Sequence, residues 1–146
     1  MVCTVAVLSG ALLHAWVLVT KAGQRIETYT RLFVITQQIA RDMITAPYKI
    51  SDWVSLQKDN VAWKQKYLAV VTYRWYFDKE HKLPRARLWR EESGVVGAVA
   101  DGLDEVVFDV DLQGDRIYGI WCTLSKKSVT VRRYIPLVEN SIICTY

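Results

Sequence analysis

The chain has 146 residues, enough for one domain of ordinary size and hardly for two. Apolar residues make up 51% and charged residues 23%, with a formal net charge of +4, so the average is globular and only mildly basic. Acids and bases are interleaved apart from short clusters such as Arg85, Arg87, Arg90 and Arg132, Arg133; a nucleic-acid binder needs a concentrated basic footprint, whereas anionic lipid headgroups suit a mild positive excess, so no direct nucleic-acid partner is expected.

The charge is unevenly spread. The first charged side chain is Lys21, and residues 2–19 are almost continuously apolar, broken by Thr4, Ser9, Gly10 and His14. Twenty helical residues rise about 30 Å, the thickness of a bilayer core. Ala6, Ser9, Gly10 and Ala11 permit close helix packing, and Trp16 suits an interface. The segment 1–20 therefore predicts a transmembrane half-helix with Val5, Leu8, Gly10, Leu12, Leu13, Trp16 and Val17 against lipid or sister helices. Two alternatives stay open. A signal peptide wants a basic residue before the run and a small-x-small cleavage site after it, and neither is good here. A core helix that is apolar all round needs a large protein to cover it.

Residues 21–46 predict the amphipathic continuation of the same helix. Ile26, Tyr29, Leu32, Phe33, Ile39, Ala40, Met43 and Ile44 step along one stripe. Arg25, Glu27, Arg31, Gln38, Arg41 and Asp42 supply polar surface, with Glu27 and Arg31 four apart in the favourable order. Pro47 ends the run. One helix over about residues 4–46 is the simplest structure, with Leu32, Phe33, Ile39 and Met43 packing on whatever follows.

Residues 47–146 predict an antiparallel sheet domain. The stretch 48–66 reads as a loop with one short strand or helical turn. The period then changes to two: Ala69, Val71, Tyr73, Trp75 and Phe77 share one face of a strand, and residues 83–91 return as a hairpin in which Trp75 and Trp89 can stack. A short apolar piece at 95–100 follows. In EVVFDVDL the residues Val106, Phe108, Val110 and Leu112 point inward. RIYGIWCTLS and SVTVRRYIPLV read as two more strands around a tight connection at 125–128. Four to six strands covering the helix stripe make an α+β fold.

MVCTVAVLSGALLHAWVLVT, then RLFVITQQIARDM, then the path from YRWYFDKEHKLPRARLWRE through GVVGAVADGLDEVVFDVDL to SVTVRRYIPLV resemble, in that order, the type IV pilin and pseudopilin family. The chain looks like a minor pseudopilin of a type II secretion system, or the related minor prepilin of a competence or pilus system. The resemblance implies a non-enzymatic fibre subunit with no cofactor. It would be held in the inner membrane by a single pass, with its sheet domain extracytoplasmic. Its partners would be other pilin or pseudopilin subunits, an inner-membrane assembly platform and the lipid bilayer. An unrelated single-pass membrane protein with a small extracytoplasmic binding domain is the alternative. The family's basic leader and its glycine–phenylalanine cleavage motif with glutamate are missing from Met1-Val2-Cys3, so Met1 is expected to be an internal methionine with the leader upstream. Lys21 and Arg25, which follow the span, by themselves favour the opposite orientation.

Chemistry-bearing residues are sparse. The cysteines match no zinc or CxxC spacing; Cys3 reads as a small apolar residue, and Cys122 and Cys144 can join if the domain lies outside the cytoplasm. Asp109, Asp111 and Gly114 echo a calcium loop, but the twelfth position is Ile120 rather than glutamate, so the string reads as a strand with outward acids and a turn. His14 sits in the apolar run and His81 in a charged turn, with no nucleophile or carboxylate to pair with either. No enzyme and no metal are expected.

Overall fold

A computed structural model describes residues 2–65, 70–78 and 85–137, with the backbone alone for 2–6, 75–78 and 85. A long helix, α1 (Val2–Met43), is followed by a short 3-10 turn and eight strands. These are β1 (Trp53–Gln57), β2 (Asn60–Lys64), β3 (Val70–Asp78), β4 (Arg85–Glu92), β5 (Val95–Asp101), β6 (Glu105–Gln113), β7 (Arg116–Lys126) and β8 (Val129–Pro136). The first five form one antiparallel sheet in chain order, and the last three form a second. The fold is α+β, a long N-terminal helix packed against antiparallel sheet, with a pilin-like topology.

The sequence reading expected one sheet of four to six strands. Two departures account for the larger number. The stretch after Pro47 folds as the β1–β2 hairpin, with Trp53 opposite Trp63, and the apolar piece at Val95 is a full strand. Two of the two-residue hairpins, at Ser93-Gly94 and Lys127-Ser128, hold positive φ at both central residues, the turn whose twist matches that of the flanking strands. The β3–β4 register sets Trp75 opposite Leu88 and Trp89 opposite Arg74, one residue out of step for the expected indole stack.

The two sheets are joined through the segment before β1 and through the β1–β2 turn. Ile50 N–H donates to the Asp115 carbonyl at 3.0 Å, Ile117 N–H to Tyr48 at 2.7 Å, and Phe108 N–H to Lys58 at 2.8 Å. One apolar core runs through helix and sheets, including Leu32, Ile39, Met43, Trp63, Tyr73 and Phe108. Trp63 lies between Trp53, at 5.4 Å, and Tyr73, at 6.1 Å, so these large aromatics fill the core of the first sheet. In β6, Val106 and Phe108 are buried but Leu112 is exposed. A register shift between Asp111 and Leu112 leaves Tyr118 as an extra residue on β7 and breaks the alternation there.

The expected membrane span is overturned. Among the described residues no helix is long and apolar enough to cross a membrane. The described side chains begin at Val7, and from there to Gln24 the apolar residues are interrupted by Ser9, Gly10, His14, Thr20, Lys21 and Gln24. The transmembrane assignment of 1–20 and the single-pass inner-membrane placement are corrected on this ground.

Candidate assembly surface

Helix α1 has 42 residues, about 63 Å of rise, but among the described residues its buried side chains all fall in its last third. Leu32, Thr36, Ile39, Ala40 and Met43 are buried, a stripe with steps of three and four that faces β7, β8 and the first sheet. Thr36 fits this greasy position by donating its hydroxyl hydrogen back to the Phe33 carbonyl at 2.8 Å. Phe33 lies one residue off the stripe and is 41% exposed. Its ring stacks on Tyr29 at 6.4 Å and lies 5.9 Å from the Arg133 guanidinium.

The end of the helix is latched by charge as well as by packing. Asp42, on its final turn, accepts hydrogen bonds from the Tyr73 phenol on β3 and from Arg90 Nε on β4. The second arm of Arg90 reaches Glu92 at 2.6 Å. Burial works against the Arg90 charge, yet the Asp42 and Glu92 carboxylates hold its pKa above the ordinary guanidinium range. Burial, and then the bond to Asp42, raise the Tyr73 phenol well above its usual value. Asp42 reads in sequence as outward polar surface. Its partners lie 31 and 48 residues away, and nothing local marks them.

Ahead of the latch the helix stands clear. Every described side chain from Val7 to Glu27 is exposed. Leu8, Leu12, Leu13, Trp16 and, least of them, Val17 are exposed among the described residues, and Gly10 borders open space there; Val5 lies where only the backbone is described. Val7, Leu12 and Val19 expose 72%, 70% and 71% of their surface. Leu13 and Val17 lie on the opposite side of the helix from Leu8 and Val19, so the apolar surface runs round it. The Glu27–Arg31 pair at 2.5 Å closes this region on its C-terminal side.

Elsewhere, Asp111 accepts the Tyr134 phenol at 2.9 Å across the second sheet, and among the described residues no group of His, Cys, Asp and Glu is placed to hold a metal. Cys122 is buried, and burial pushes its thiol up to about 12. Its expected partner Cys144, like His81, lies outside the described residues.

A helix covered at one end by antiparallel sheet and bare along the rest defines the class: a pilin-like α+β architecture, compatible with a non-catalytic fibre subunit. No protein-family model, curated protein or solved structure matches the chain.

Proposed function

We propose that the chain is a non-enzymatic minor subunit of a pseudopilus or pilus-like fibre that serves protein secretion, pilus assembly or DNA uptake. The observation that carries this reading is the bare apolar stretch of the helix from Val7 to Val19. An exposed apolar surface that long is a packing surface, because water penalises it by roughly 25 cal/mol per Å². In this reading the equivalent helices of neighbouring subunits cover it and form the fibre core. The sheets face outward, where other subunits and an assembly platform contact them.

The test is assembly of the purified full chain and of its L12D/L13D variant, followed by sedimentation and electron microscopy. Leu12 and Leu13 are exposed in the subunit, so the double change should leave the melting of the domain unaltered and abolish long assemblies. Fibres from the variant as abundant as those of the parent would remove the helix from the fibre core. Deletion of the gene in its own host, read by secretion, piliation and DNA uptake, separates the three services.

A further inference from the structure

Strand β5 is the outer strand of the five-stranded sheet, and among the described residues no strand pairs with its far side. From Val95 to Ala98 its sequence is Val-Val-Gly-Ala, without the charge, lysine or proline that usually guards such an edge. Val95 and Val96 expose 74% and 56% of their surface. The guard that does exist is a bulge: Leu88 pairs with Ala100 and Trp89 with Ala98, leaving Val99 extra. It lies beyond the four-residue run.

The two ends of the strand differ in charge. Exposed Glu91 and half-buried Glu92 lie opposite Val96 and Val95. At the other end Lys126 Nζ donates to the Asp101 carbonyl at 3.1 Å, with exposed Lys127 beside it; the Asp101 carboxylate is paired with Arg87 at 2.7 Å, so against Asp104 the two lysines leave this end net positive. A patch that is acidic at one end and basic at the other complements itself when turned by half a rotation.

We propose that β5 is a pairing edge for a second copy of this chain. Two β5 strands lie antiparallel about a two-fold axis near Gly97, joining two five-stranded sheets into one. The small Gly97 and Ala98 let the strands meet, and a Cβ built at Gly97 touches nothing within 4 Å of the subunit itself. The lysine end of each copy then lies beside the glutamate end of the other. This contact is independent of the helix packing proposed for the fibre.

Sedimentation velocity on the full chain carrying L12D and L13D isolates the edge from the helix. A discrete dimer is expected. V96K on that background should reduce self-association at least tenfold while leaving the melting temperature unchanged, and K127E should weaken it, with E91K restoring part of the loss. A monomeric parent, a dimer indifferent to V96K, or an open series of larger species would each overturn the two-fold edge pairing. None of these outcomes bears on whether the unaltered helix builds fibres.

Discussion

The Tyr73 phenol on β3 donates its hydrogen bond to the carboxylate of Asp42, at the last turn of α1. The same oxygen accepts Arg90, so one carboxylate ties the helix to two adjacent strands. D42A removes the acceptor, leaving the buried Tyr73 phenol without it and Arg90 with Glu92 alone. The expected loss is about 2 kcal/mol, since hydrogen bonds to charged groups contribute about 1.5–3 kcal/mol and this pair is only partly buried. Y73F should cost about half as much. Urea denaturation of the three proteins checks the order, and equal stability of D42A and parent would refute the latch.

The helix stripe makes a contrast between neighbours. Leu32 is buried at 1% exposure and Phe33 is not. L32A should cost about 3 kcal/mol through lost transfer energy and the cavity left behind. F33A removes the larger side chain, yet should cost less than L32A, about 1–2 kcal/mol in the isolated subunit, because 41% of the Phe33 surface stays in water and its loss opens no enclosed cavity. Denaturation midpoints decide between this order and the reverse, which side-chain size alone would give.

Both cases show what a sequence can and cannot carry. The long helix and the later strands are legible because their periods are local: Val71 and Tyr73 alternate into the core, and Ile39 and Met43 recur at helical spacing. Thr36 belongs to the buried stripe by position, but its residue type hides it. The β1–β2 hairpin is hidden for another reason. Its core residues Val61, Ala62 and Trp63 are consecutive and all buried, so no alternation marks the strand. The Asp42 latch joins groups distant in sequence, so no local window carries it.

Cys122 should be chemically silent in the folded protein. It is buried on β7, and desolvation raises its thiol to about 12. In a C3S/C144S background, a thiol-directed disulfide reagent at pH 8 should react only as fast as the chain opens. Labelling should become rapid in denaturant. The linkage has a definite sign. The folded pKa lies above the ordinary value, so the contribution to stability is complete below the ordinary thiol range and is lost as pH rises through it toward 12. Rapid labelling under native conditions would mean that β7 does not hold Cys122 in the core.

The last expectation concerns Gly119 and the ring that lies across it. A Cβ at Gly119 would sit 2.3 Å from the Tyr134 ring, which also packs on Trp121 at 4.9 Å and donates to Asp111 at 2.9 Å. The atoms in the way form the far end of a side chain, so the backbone can stay while the ring swings out. G119A should therefore cost what the displaced tyrosine contributed, about 1 kcal/mol for a partly exposed hydrogen bond with its ring contact. Y134A should cost a similar amount, and the double variant little more than either alone. A double-mutant cycle by urea denaturation measures this directly. Strictly additive losses would show that the glycine serves the strand backbone rather than the tyrosine above it.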